Sequence, residues 1–164
     1  MLEWRAFTTN VNICSKFTIE EWNKMVTDID SDADWNQLVS EYYPFIKCYI
    51  LYKTANSEPI AFAYTLQEDD KGKVVSFHGG GWNKSLYHTL LYYQGAVMLI
   101  NTLLNLGLKV RTSCLTDNKT AFRFLKSIGF VNYRSTDKWH YFWINARRLK
   151  YYNIYLKRIN DNKI

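Results

Sequence analysis

The sequence predicts one mixed α/β domain, in which helices flank a mostly antiparallel sheet. Runs of β-branched and aromatic residues over 45–52 and 60–66, each followed by turn residues, predict antiparallel strands. A stretch without charged residues, 89–108, predicts a long buried helix between two further strands, 74–82 and 109–114. A strand–helix–strand crossover of this kind places a parallel pair in an otherwise antiparallel sheet.

Capping and turn residues mark where the other elements begin and end. Thr18 and Glu21 form a capping box that starts a helix, and Pro44 stops a second helix. Gly107 ends the long helix, and Gly129 ends a short helix that Asp117 or Asn118 caps. The predicted order is therefore β-α-α-β-β-β-α-β-α-β-β, followed by a helical tail. The predicted strands span 2–8, 45–52, 60–66, 74–82, 109–114, 130–135 and 139–144, and the predicted helices span 18–28, 34–43, 88–105, 118–128 and 145–159.

Composition excludes a disordered chain and favours an acidic partner. The chain has 164 residues, enough for a single domain with its own core, and 48% of them are hydrophobic. The formal net charge of +6 favours a nucleotide-like cofactor, a nucleic acid or an anionic surface as partner. Much of the excess lies in a basic tail, 145–164, which carries Arg147, Arg148, Lys150, Lys157, Arg158 and Lys163.

Cysteine usage and the N-terminus favour a reducing, cytoplasmic setting. Cys14, Cys48 and Cys114 are widely spaced and odd in number, so they predict neither a disulfide framework nor a metal site. The first residues lack a basic run before an apolar core, so no signal peptide is predicted.

The uncharged stretch 89–108 is long enough to span a bilayer. Gln94, Asn101 and Asn105 fall on one face of the predicted helix, and such polar groups are expensive inside a membrane. A buried helix with one polar stripe is therefore the better interpretation.

The segment from Asn118 to Phe130 carries a recognisable pattern. Asn118, Ala121, Phe124, Gly129 and Phe130 occupy the fixed positions of the pattern Asn-x-x-Ala-x-x-Phe-Tyr-x-x-x-Gly-Phe. In this spacing the chain resembles the GNAT superfamily of acyl-CoA-dependent N-acyltransferases. The predicted element order is similar to the GNAT fold over nearly the whole chain.

The resemblance implies a cleft for acetyl-CoA where the strands 74–82 and 109–114 splay apart. In the family, the pantetheine arm pairs with the backbone of the first of these strands, often beside a bulge. Gly79, Gly80 and Gly81 suit a bulge or a close approach by ligand or backbone. A plain loop is the alternative interpretation of three consecutive glycines.

The family's pyrophosphate loop, Arg/Gln-x-x-Gly-x-Gly/Ala, falls near residues 87–92, where the chain has no glycine. The helix dipole and first-turn amides remain available to a phosphate, and closer contacts would come from side chains. The resemblance therefore implies a cofactor-binding set that includes Lys84, Ser85, Tyr87, His88, Thr89, Asn118, Phe122 and Leu125 in addition to the three glycines.

His78 is the candidate general base. It lies two residues from Ser76, on the same face of its predicted strand, and an imidazole titrates near neutral pH. The alternative is a hydrogen-bonded structural residue. Leu125 stands where the family often has a tyrosine general acid, so Tyr87 and Tyr92 are considered for protonating the leaving thiolate.

The expected function is transfer of an acetyl group from acetyl-CoA to a primary amine of a small molecule or peptide. Two alternatives remain open on the sequence. One is a non-enzymatic GNAT-fold binding or scaffold protein, which the missing loop glycines favour. The other is a nucleic-acid-binding domain, which the basic tail and its interleaved tyrosines favour.

Overall fold

The computed structural model describes residues 1–7, 45–53, 58–81 and 85–149. The helices predicted over 18–28 and 34–43 lie outside the described residues, as does the tail after residue 149. The described elements are β1 (Leu2–Phe7), β2 (Ile46–Lys53), β3 (Glu58–Gln67), β4 (Val74–Gly81), α1 (Leu86–Asn105), β5 (Lys109–Leu115), α2 (Lys119–Ile128), β6 (Val131–Ser135) and β7 (Trp139–Ile144).

The seven strands form one sheet in the order β1-β2-β3-β4-β5-β7-β6. Every neighbouring pair is antiparallel except β4 and β5, which are parallel and are connected by α1. The predicted fold class, a mixed and mostly antiparallel sheet flanked by helices, is confirmed. β3 begins at Glu58, two residues before the predicted start, because its pairing with β2 continues through Pro59.

α1 packs one apolar face on the sheet. Its core residues are almost fully buried: Ala96, Val97, Ile100 and Leu103. Trp4 of β1 donates a hydrogen bond from Nε1 to the carbonyl oxygen of Gly95, at 2.6 Å, and so fixes the middle of the helix against the sheet. Among the described residues, no helix is both long and apolar enough to cross a membrane.

α2 is set by local signals that the sequence displays. The Asn118 side chain accepts a hydrogen bond from the N–H of Ala121, at 2.9 Å, and Gly129 adopts φ 112°, which ends the helix without side-chain strain. Leu125 and Ile128 are buried against the core. The two helices meet on the same side of the sheet, where the Tyr93 hydroxyl donates to the carbonyl of Ser127 at 2.7 Å.

The tail was predicted to be helical over 145–159. Within the described part, residues 146–149 form a helical turn, capped by a bond from the N–H of Arg148 to Asn145 Oδ1 at 3.0 Å. Leu149 is fully buried and belongs to the core, so this helical turn packs against it.

Candidate functional site

A cleft opens where β4 and β5 stop pairing. The two strands are in parallel register from Val74 and Lys109 to Ser76 and Arg111, and both continue beyond that point. The backbone of β4 after Ser76 therefore has no strand partner on its β5 side within the described sheet. Since backbone donors and acceptors need partners, this edge is available to an extended ligand.

A cavity of about 490 Å³ fills the divergence between the two strands. Strands β3, β4 and β5 and helices α1 and α2 all contribute to its lining. The lining residues are Phe62, Phe77, His78, Gly79, Gly80, Gly81, His88, Thr89, Tyr92, Thr112, Ser113, Cys114, Asn118, Thr120, Ala121, Phe124 and Leu125.

Successive residues of β4 point to opposite faces of the sheet. Gly79 faces α1, because a Cβ built on it would lie 2.9 Å from the Tyr92 hydroxyl oxygen. His78 therefore faces the other side, where its ring stacks on Tyr64 with centroids 5.0 Å apart and planes 18° apart. The half-buried imidazole is held by this stack at the border of the cavity.

The three glycines lie in regular strand, so the loop interpretation is wrong. β4 pairs with β3 in unbroken register from Val75 opposite Gln67 to Gly81 opposite Ala61. The bulge that the resemblance implied is thus absent from this described pairing. The expected close approach is present at Gly79, and it comes from the protein itself, because a Cβ there would also lie 2.7 Å from the carbonyl oxygen of Phe62.

Side-chain hydrogen bonds to backbone groups stabilise the first turn of α1. Ser85 caps the helix: its Oγ accepts from the N–H of His88 at 3.3 Å and lies 2.8 Å from His88 Nδ1. Thr89 Oγ1 donates to the carbonyl of Ser85 at 2.9 Å. No acidic residue lies in this turn, so none of its own side chains carries a negative charge against the positive end of the helix dipole.

Not all predicted residues of this segment reach the cavity. His88 and Thr89 line it, whereas Ser85 and Tyr87 lie outside the lining. Tyr87 is 52% exposed, and the Lys53 ammonium lies 5.5 Å from the centroid of its ring. Lys84 lies outside the described residues.

α2 places its motif residues on two different sides. Asn118, Ala121, Phe124 and Leu125 line the cavity. Phe122 was expected to contact the cofactor, but it points away and packs its ring edge-on against His140 and Phe142, with centroids 4.8 and 5.4 Å distant. Its helical phase directs it to β7 and not to β4.

Tyr92 and Phe124 form an aromatic pair in the lining of the cavity. The rings of Tyr92 and Phe124 stack with centroids 5.0 Å apart and planes 3° apart, and join α1 to α2. Burial raises the pKa of the Tyr92 hydroxyl well above its ordinary value, so it stays protonated.

Cys114 also lines the cavity and is 5% exposed, as expected of a buried thiol. Burial raises its pKa to about 11. The thiol is therefore protonated at neutral pH, and since the thiolate is the nucleophile, Cys114 is poorly suited to nucleophilic catalysis.

Comparison with known proteins places this geometry in a recognised fold. No family model and no curated protein matches the sequence. Among solved structures, aminoglycoside acetyltransferase AAC(6')-Ib in complex with coenzyme A superposes with a TM-score of 0.67 at 17% identity, over 92% of this chain and 98% of that one. FdhC, a nucleotide-linked sugar GNAT, gives a TM-score of 0.66 at 14% identity, over 96% and 93%. PseH of Campylobacter jejuni with acetyl coenzyme A gives 0.59 at 12%, over 89% and 99%.

The chain therefore has the GNAT fold, which the Asn118–Phe130 pattern predicted. At such identities the likeness establishes the fold alone.

Proposed function

We propose that this protein transfers an acetyl group from acetyl-CoA to a primary amine. The observation that carries the proposal is the parallel β4–β5 pair, which separates after Ser76 and Arg111 and opens the cavity. The similar structures include complexes with coenzyme A and with acetyl coenzyme A, which supports the same donor here.

The cleft offers partners for the pantetheine arm, the pyrophosphate and the thioester of acetyl-CoA. The amides of the pantetheine arm suit the open edge of β4, where strand-like hydrogen bonds can form. The pyrophosphate suits the first turn of α1, whose dipole attracts anions and whose lining residues are His88 and Thr89. Backbone N–H groups of β4 would polarise the thioester carbonyl as its oxygen gains negative charge.

In this proposal His78 serves as the general base, directly or through water. It borders the cavity on the sheet face opposite α1 and is held by Tyr64. The amine nitrogen attacks the thioester carbon, the C–N bond forms, and the C–S bond breaks with its electrons on sulfur. His78 takes the proton that the amine loses. Holding amine and thioester in contact supplies a further share of the rate.

A second candidate is a GNAT-fold protein that binds acyl-CoA without catalysis. Two departures favour it: the glycine-free first turn of α1, and Leu125 at the position of the family's tyrosine. Turnover separates the two candidates, because both predict binding and only one predicts release of free CoA.

The test is release of the CoA thiol from acetyl-CoA in the presence of amines. Kanamycin and spermidine are suitable probes, because similar structures are a kanamycin complex of AAC(6')-Ib and a spermidine N-acetyltransferase chimera. We expect amine-dependent thiol release by the wild-type protein. Binding of acetyl-CoA without turnover on any amine would favour the second candidate.

His78→Gln is expected to lower turnover by about 10²–10⁴-fold, the usual contribution of acid–base catalysis, with acetyl-CoA affinity unchanged. His140→Gln is the matched control, because His140 lies outside the cavity lining and its Nδ1 contacts Ser135 Oγ at 2.8 Å. An unimpaired His78→Gln enzyme would contradict the assignment and leave deprotonation to water.

A further inference from the structure

The proposed reaction needs a proton donor for the departing sulfur, and the inference below rests on that proposed function. Leu125, at the family's tyrosine position, lines the cavity but carries no proton to donate. Any donor that replaces it must reach the same space from another element.

Tyr92 reaches that space from α1. Its hydroxyl oxygen lies against Gly79 of β4, within 2.9 Å of the position that a Cβ would occupy. Its ring is stacked on Phe124, the residue before Leu125, and all three residues line the same cavity.

The Tyr92 hydroxyl is buried yet lacks a partner within the described part of the chain. The residue is 9% exposed, and desolvation accounts for the raised pKa with no hydrogen bond opposing it. A buried hydroxyl without a hydrogen bond carries a free-energy cost in the folded protein. Such a cost is reasonable in a position where a ligand supplies the missing partner.

We propose that Tyr92 of α1 donates the proton to the departing thiolate, in place of a tyrosine at position 125. As the C–S bond breaks, the Tyr92 O–H proton passes to sulfur and gives the free thiol. The phenolate regains a proton, equivalent to the one that His78 took from the amine, through water. The thiolate and the phenolate are desolvated in the same cavity, and desolvation raises the pKa of both acids. The difference between the two pKa values is therefore smaller than the raised pKa of the phenol alone suggests.

Tyr87 and Cys114 are less suitable as the proton donor. Tyr87 is half exposed and lies outside the lining. Cys114 lines the cavity from β5, three residues beyond Arg111, where that strand has already separated from β4.

The test compares Tyr92→Phe with Tyr93→Phe. Tyr92→Phe keeps the ring that stacks on Phe124 and removes the hydroxyl, so we expect turnover to fall about 10²–10⁴-fold without loss of thermal stability. Tyr93→Phe removes the structural bond to the Ser127 carbonyl. We expect it to lower stability and leave turnover unchanged.

A second readout does not depend on turnover. CoA bound in the cleft carries the free thiol, whose ionisation is followed by the ultraviolet absorbance of its thiolate against a desulfo-CoA complex. A donor hydrogen bond favours the thiolate, so Tyr92→Phe should raise the pKa of the bound thiol by about 1–2 pH units. The other titratable groups that line the cavity, His78, His88 and Cys114, are the same in both proteins.

The outcomes separate this inference from the proposed function. Full turnover by Tyr92→Phe, or an unchanged pKa of the bound thiol, would overturn the role of Tyr92 and leave the acetyltransferase standing. A wild-type protein that binds CoA without turnover would refute catalysis, while the thiol titration would still decide whether Tyr92 faces the sulfur. Failure to bind CoA would overturn both.

Discussion

Gly79→Ala is expected to destabilise the protein through one added methyl group. The new Cβ would lie 2.7 Å from the Phe62 carbonyl oxygen, 2.9 Å from the Tyr92 hydroxyl oxygen and 3.2 Å from Ala63 Cα. Two of the three atoms belong to the β3 backbone, which cannot retreat without weakening its pairing with β4. Overpacking of this kind costs about 1–3 kcal/mol, more than the roughly 0.4–1 kcal/mol that alanine regains by stiffening the unfolded chain.

The same contact predicts coupling between Gly79 and Tyr92. Tyr92→Phe removes one of the close atoms but leaves the Phe62 carbonyl. Gly79→Ala should therefore lower the free energy of unfolding by less in the Tyr92→Phe protein than in the wild type, but should still lower it. Urea denaturation of the four proteins of the cycle measures the difference, with about 0.5–3 kcal/mol typical of residues in contact. Tyr93→Phe provides the uncoupled control. A Gly79→Ala protein as stable as wild type, or strict additivity with Tyr92→Phe, would refute the close contact.

Two further predictions concern α2 and the buried thiols. Asn118→Ala should lose the cap on the Ala121 N–H, at about 1 kcal/mol, and should weaken acetyl-CoA binding by more than this, because Asn118 also lines the cavity. Denaturation and calorimetry measure the two losses, and unchanged affinity would leave Asn118 a purely structural role. Burial raises the pKa of Cys48 from 9.0 to about 12 and that of Cys114 from 9.0 to about 11. The unfolded chain therefore releases these protons first, so the contribution of the two buried thiols to the free energy of unfolding should be constant below about pH 9 and fall between pH 9 and 12. Denaturation midpoints that stay level across that interval would contradict the burial of both thiols.

Local signals predicted the elements that frame the site. Asn118 and Gly129 mark both ends of α2, because a side-chain cap and a left-handed glycine act within a few residues of sequence. The uncharged stretch before Gly107 likewise predicted α1 and, through the crossover, the parallel β4–β5 pair. These features were confirmed because each depends on neighbours in the chain.

The residues that the sequence missed depend on long-range register. Phe62 lines the cavity because it pairs opposite Gly80, and Thr112 lines it because β5 continues past Arg111, the last residue that pairs with β4. No pattern near either residue reports this placement. The sequence around Gly79 likewise cannot show whether a ligand or a side chain of another element occupies the space beside the glycine. In the structure that space is occupied by Tyr92.

Helical phase explains the misplaced aromatic residues. Tyr87 and Tyr92 were equal candidates in sequence, yet one is exposed and the other lies in the cavity. Phe122 and Phe124 diverge in the same way, towards β7 and the cleft respectively. Which of these side chains faces the cavity depends on how each helix is rotated about its axis, and tertiary packing determines that rotation.

The most direct test of the account is the stability of the protein with and without acetyl-CoA. If the cleft between β4 and β5 binds the donor in the folded state alone, a hundredfold excess over the dissociation constant should raise the unfolding free energy by about 2.7 kcal/mol. Desulfo-CoA should stabilise similarly, since it keeps the pyrophosphate and pantetheine, whereas free pantetheine should stabilise less. An unfolding transition that acetyl-CoA leaves unmoved at millimolar concentration would contradict the proposal that this cleft is an acyl-CoA site.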